Sequence, residues 1–197
     1  MLSLLLAAPF AFADMEYHGF TIDDHLLDSA EKASFAGQPA ASVIEQLNIV
    51  EAAGLPPAIL DFFKKTRIVI DPSMRGNPGM FSEQDGEGAV RIQPIVFPSN
   101  RPIMLHELLH AYHFYVLSLK NPAIRDAYDA ASHAGTYPAK FQRAHFLLNA
   151  KEYFAVTSTI YLFGDIQQPP FKCAVLAKND PAYLAFLEKT FGHHDCH

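Results

Sequence analysis

"MLHELLHAYHF", residues 104–114, decides how the rest of the chain is read. His106 and His110 stand four residues apart, so on a helix both imidazoles share one face about one turn apart, where one cation can bind both. Glu107 is rotated by about 100° from His106. It would stand beside the water that such a cation holds, and not on the cation, which is where a general base is needed. The competing reading is an apolar core helix in which two histidines fall four apart by chance. The flanks bear on the choice. The helix is expected to begin near Pro102, with Ser99 or Asn100 as its cap, and to run to about Leu119 before "KNP" ends it. It is apolar nearly all round, through Leu105, Leu108, Leu109, Tyr112, Phe114, Val116 and Leu117. Inside such a helix His, Glu and His each lose hydration and need a partner. A zinc ion supplies it, and one Zn2+ per chain is the expectation.

Two histidines do not complete a hydrolytic site, which uses three protein ligands and leaves the fourth position to water. His113 does not fit the metzincin pattern, which needs glycine there and histidine at 116, where this chain has Val116. Asp126 and Asp129 in "RDAYDAA" are candidates of an aspartate type, and read equally well as the solvated face of a short helix. Glu152 in "NAKEYFAVTSTIYLFG" is the strongest candidate, because a lone carboxylate among Phe154, Ile160 and Leu162 asks for a cation. Its plain alternative is a surface glutamate beside Lys151.

HELLH, the later set Asn149, Glu152, Tyr153, Phe154 and Ala155, and the approach "PPAILDFFKKTRIVID" together resemble the gluzincin peptidases related to the catalytic domain of anthrax lethal factor. The resemblance spans residues 55–191 and is specific at the two motifs. It implies a zincin-like fold, peptide-bond hydrolysis on a peptide or protein substrate, His106, His110 and Glu152 as metal ligands, and Glu107 as the base. It also implies a tyrosine seven residues before the third ligand that helps to hold the transition-state oxyanion; this chain has His145 there. His145 is therefore the expected oxyanion donor, and Tyr137, which precedes Pro138 in a loop, is the second candidate. In zincins an edge strand beside the metal helix lines up the extended substrate, and residues 89–93 are the expected strand. Two rival readings stay open. One is a non-catalytic zinc-binding protein on a peptidase-derived scaffold, an inhibitor or adhesion factor, which His145 in place of tyrosine favours and the presence of Glu107 disfavours. The other is a helical binding module without metal.

The chain has 197 residues, half of them apolar, and a formal charge of −6, the composition of one globular domain able to bury a core. The acidic balance and the lack of a Lys/Arg cluster argue against a nucleic-acid surface or a basic membrane-binding face. Residues 1–13, MLSLLLAAPFAFA, carry no charge and end in Ala11-Phe12-Ala13. They read as a secretory signal, with a buried N-terminal segment as the alternative; the run is too short to span a membrane. The expectation is a secreted or periplasmic protein with a peptidase domain over residues 14–197. In an exported chain Cys173 and Cys196 are expected to form a disulfide. The tail "FGHHDCH" sets His193, His194, Asp195 and His197 around Cys196, a possible adventitious metal binder.

Residues 14–66 read as helical, with Val43, Leu47 and Val50 on one face, a stop at Gly54 and a restart at "PPAILDFFKKT". "RIVID" (67–71) and "AVRIQPIVF" (89–97) are the strand candidates, separated by a Gly- and Pro-rich segment expected to be a long exposed loop. Further helices are expected at 122–131, 138–147, 150–163 and 181–191. The fold class is α+β, mostly helical, with a small sheet preceding the metal helix.

Overall fold

The described residues begin with a hairpin where helix was expected. Met15–Tyr17 (β1) and Phe20–Asp23 (β2) pair antiparallel, joined by His18 and Gly19, both at positive φ (49° and 88°). A two-residue turn of that hand matches the twist of the strands it joins. Gly19 adopts the conformation freely, while His18 stacks on Tyr17 with ring centroids 4.1 Å apart and sets Nδ1 2.6 Å from a Glu51 carboxylate oxygen. The computed structural model describes residues 14–84, 87–133 and 135–196; the expected signal segment and His197 lie outside the described residues.

Three helices follow: Ser29–Phe35 (α1), Gln38–Ala52 (α2) and Pro57–Lys65 (α3). Asp28 and Glu31 form a reciprocal capping box at the start of α1. In α2 the expected stripe of Val43, Leu47 and Val50 is fully buried. Arg67–Ile70 (β3), Gly79–Gln84 (β4) and Glu87–Ile92 (β5) complete a five-stranded sheet of order β1-β2-β3-β5-β4. β2 and β5 run parallel to β3, and the two outer pairs are antiparallel.

This order corrects two expectations. Residues 89–93 are not an edge, since β5 lies between β3 and β4. The edge is β4, taken from the segment expected to be a loop. "GMFSEQ" has no β-branched residue and is flanked by Gly and Pro, so nothing intrinsic marks it as a strand; its six-residue register with β5 makes it one. A cue existed in the sequence, because Gln84 pairs with Glu87 and the dipeptide between them is Asp85-Gly86, a strong hairpin signal.

The HELLH helix spans Ile103–Tyr112 (α4) and continues as a single π-helical stretch, His113–Leu117. Pro122–His133 (α5), Ala150–Phe163 (α6), Cys173–Asn179 (α7) and Pro181–Phe191 (α8) follow. The helix expected over 138–147 is instead two 3-10 turns, Ala139–Phe141 and His145–Leu147, because Ala144 between them is extended (φ −72°, ψ 152°). α6 is buried from Tyr153 to Leu162 and packs on α4, which in turn lies against β4 and β5. Ile68, Ile70, Val90 and Ile92 of the sheet meet Leu105 and Leu108 of α4 in one core. The expected Cys173–Cys196 bridge is formed and fastens the segment after α8 to the start of α7. Among the described residues no helix is long and apolar enough to cross a membrane.

Candidate active site

One face of α4 carries His106 and His110, and the first turn of α6 carries Glu152 opposite them. Asn149 caps α6 by accepting from the backbone N–H groups of Lys151 and Glu152 (2.9 and 3.0 Å), which fixes the turn that bears the carboxylate. The three side chains converge. His106 Nε2 lies 3.1 Å from His110 Nε2, and Glu152 Oε2 lies 3.4 and 3.3 Å from those two nitrogens. Zinc bonds of about 2.0–2.1 Å at tetrahedral angles separate ligand atoms by about 3.3 Å, so the donor set fits a single cation. A second observation agrees. Glu152 Oε2 is buried and makes no well-formed hydrogen bond although three imidazole nitrogens lie within 3.4 Å of it. Burial works against an ionised Glu152, yet the His106, His110 and His145 rings hold its carboxyl far below the usual range.

Glu107, one residue on from His106 in the same helix, faces β4 within the same cleft. It is 7% exposed, and its Oε2 accepts the backbone N–H of Phe81 on β4 at 2.8 Å. Burial pushes the Glu107 carboxyl up, and His106 and the Phe81 N–H offset this only in part. His145, on the second 3-10 turn, puts Nε2 2.8 Å from Glu152 Oε2 with its side chain 47% exposed. The Glu152 carboxylate pushes its imidazole up against the opposing effect of burial. His106, His145 and Glu152 offer donor atoms all within 4.8 Å of one another. These groups line a cleft of about 850 Å³ that runs along α4, from Arg101 and Ile103 past the two histidines to Phe114 and Leu119, with β4 as its opposite wall.

Other sequence candidates lie elsewhere. Tyr137 is 2% exposed and packs edge-on to Phe146, 5.0 Å between centroids; it belongs to the core and does not line the cleft, because the aromatic cluster beneath α6 takes its ring. Asp126 and Asp129 are exposed on α5, the solvated-face alternative. In the tail His193 pairs with Glu188 and Asp195 in solvent, while His194 packs on Tyr161 and Gly54, so the two imidazoles do not converge. His113 is buried with neither ring nitrogen bonded, and burial drives its pKa down to about 4, which is how a neutral core histidine behaves. The sequence reading missed β4 and its backbone contact to Glu107, because main-chain donors carry no residue signature.

An α+β chain with two histidines and a glutamate from two packed helices, and a second glutamate beside them, is a candidate metal-centre protein. No protein-family model matches the chain, and no curated protein does. Among solved structures it is similar to the PRO-PRO endopeptidase (PPEP-2) from Paenibacillus alvei, with 17% identity, a TM-score of 0.46, and coverage of 86% of this chain and 96% of that one. So low a likeness transfers neither family nor activity.

Proposed function

We propose that the chain is a secreted, zinc-dependent peptidase of the gluzincin type, with His106, His110 and Glu152 holding the metal and Glu107 acting as general base. The observation that carries the proposal is the mutual spacing of the three donor atoms, 3.1, 3.3 and 3.4 Å, on an edge suited to tetrahedral zinc. Zinc bound there supplies a Lewis acid that lowers the pKa of water and polarises a carbonyl. The remaining work belongs to the chain's own residues. Glu107 takes the proton of the attacking water and returns it to the leaving amine nitrogen; a carboxyl raised by burial is better matched to carrying that proton near neutral pH. His145 donates from Nε2 to the carbonyl oxygen as negative charge develops.

The peptide lies extended along β4 and not along residues 89–93. In the β4–β5 ladder Phe81 stands opposite Val90, and its N–H turns away from β5 to Glu107. Antiparallel pairing alternates, so the main-chain groups of Gly79 and Phe81 face outward together. The Phe81 N–H is taken by Glu107, and the Gly79 main chain and the Phe81 carbonyl are the groups on which a substrate strand can pair. The Cys173–Cys196 bridge supports export, since such bonds persist in oxidising compartments.

The test separates ligand from base. Glu107→Gln keeps near one equivalent of zinc while peptide hydrolysis falls at least about 100-fold, the scale of a lost general base. Glu152→Ala loses zinc affinity and hydrolysis together. Full zinc and full activity in Glu152→Ala would overturn the assignment.

One observation favours a second reading. His145 Nε2 approaches Glu152 Oε2 to 2.8 Å, and if it serves as a fourth ligand the site is closed to water and structural. The protein would then be a non-catalytic zinc binder.

A further inference from the structure

We infer that Gly79 is a positioning residue, and that the bare backbone of β4 from Gly79 to Phe81 is the seat that holds the Glu107 carboxylate. The inference rests on the reading of Glu107 as general base and goes beyond it. One contact and one space define the seat. On one side Glu107 Oε2 accepts the Phe81 N–H at 2.8 Å. On the other, a Cβ placed on Gly79 would stand 2.7 Å from Ile103 Cγ2, 3.0 Å from Glu107 Cγ and 3.3 Å from Glu107 Oε1.

None of these atoms can yield cheaply. Ile103 Cγ2 is a methyl on a branched carbon in the first turn of α4, restricted in its rotation, and Glu107 Cγ lies in the middle of a side chain that is 7% exposed. A methyl at position 79 must therefore push α4 from the strand or push the carboxylate from its place. Glycine is also the residue that lets a strand approach a neighbouring element this closely. The Phe81 hydrogen bond holds Oε2, and the missing Cβ at Gly79 leaves the room that Cγ and Oε1 occupy. The same edge strand that offers its outward groups to a peptide thus fixes the base that acts on it. A base displaced by about 1 Å can cost about 100-fold in rate.

The experiment compares wild type, Gly79→Ala, Ile103→Ala and the double variant. Each is assayed zinc-loaded on a quenched fluorogenic peptide drawn from the wild-type cleavage profile, and metal-free by hydrogen exchange at the Phe81 amide. In Gly79→Ala kcat falls about 100-fold while KM changes by less than about threefold. The double variant, which removes the Ile103 methyl, regains wild-type melting temperature and zinc content but not kcat. Exchange at the Phe81 amide quickens by at least about tenfold in both variants at position 79. Wild-type kcat and wild-type Phe81 protection in the double variant would overturn the inference and leave Gly79 as a packing accommodation for Ile103. Glu107→Gln is run beside them. If it retains full turnover, or if no protein in the set cleaves peptide, the base assignment fails, and the exchange readout still decides whether Gly79 seats the carboxylate.

Discussion

At the scale of the residue, the proposed oxyanion donor is a histidine, His145, where a tyrosine was the expected residue type, and the difference changes the chemistry of donation. A tyrosine hydroxyl keeps its proton at neutral pH, whereas an imidazole donates from Nε2 only in one tautomer or when charged. The Glu152 carboxylate lies 2.8 Å from Nε2 and pushes the His145 pKa up. The half-exposed His145 side chain sits on a short 3-10 turn at the wall of the cleft, and donation to a bound carbonyl requires Nε2 to leave Glu152. His145→Ala is expected to lower kcat by about 100-fold, the scale of one lost oxyanion donor, with zinc stoichiometry by metal analysis unchanged. Loss of zinc in that variant would instead favour the closed, four-ligand site. Tyr137, the other sequence candidate, cannot substitute from the core.

At the scale of the element, α6 matters through its first turn. Glu152 is the third residue of the helix, inside the turn that Asn149 caps, so ligand position and helix end are one feature. A carboxylate in that place also meets the positive end of the helix dipole. Asn149→Ala should lower stability by about 1 kcal/mol, the usual cost of a lost cap, read as the urea midpoint. It should also weaken zinc in a chelator competition, because a frayed first turn no longer presents Glu152 to α4. An unchanged zinc affinity alongside the stability loss would mean that tertiary packing alone holds the carboxylate. The bounds of α6 were legible because Asn149, the apolar run and Gly164 mark its start, body and end. The interval 138–147 was not, since a helical reading depends on every residue being in the α region and Ala144 leaves it. That break separates the two 3-10 turns and sets His145 at the start of the second, beside Glu152.

At the scale of the whole molecule, the N-terminal hairpin is fastened to the sheet by Asp23. Its carboxylate accepts from the His25 N–H at 3.0 Å and from Arg67 at 2.6 and 3.2 Å, across the β2–β3 pairing. Burial opposes its ionisation, but the His25 N–H, the Arg67 guanidinium and the His25 ring together hold its pKa at about 2 against 3.8 unperturbed. A carboxyl depressed by folding contributes stability that is complete above its unfolded pKa and is lost as pH falls through the folded one. The contribution is about 2 kcal/mol. Urea midpoints measured from pH 5 down to pH 2 should therefore fall less steeply for Asp23→Asn than for wild type, the two curves converging at the acid end. Parallel curves would remove Asp23 from the acid-sensitive set.

The sequence by itself determined what is local and periodic: the α2 stripe, the four-residue step of His106 and His110, the lone carboxylate of Glu152 in an apolar helix, and the pairing of the only two cysteines. Each is written in side chains a few residues apart, or in the poor solvation of a charged group among apolar ones. Tertiary structure decided what depends on backbone groups from distant segments. "GMFSEQ" became the edge strand through β5, Phe81 lent its N–H to Glu107, Tyr137 went to the core, and His145 met Glu152. A main-chain donor looks the same in every residue, and a strand without β propensity is made by its neighbour; neither leaves a mark in a single sequence until the chain closes on itself.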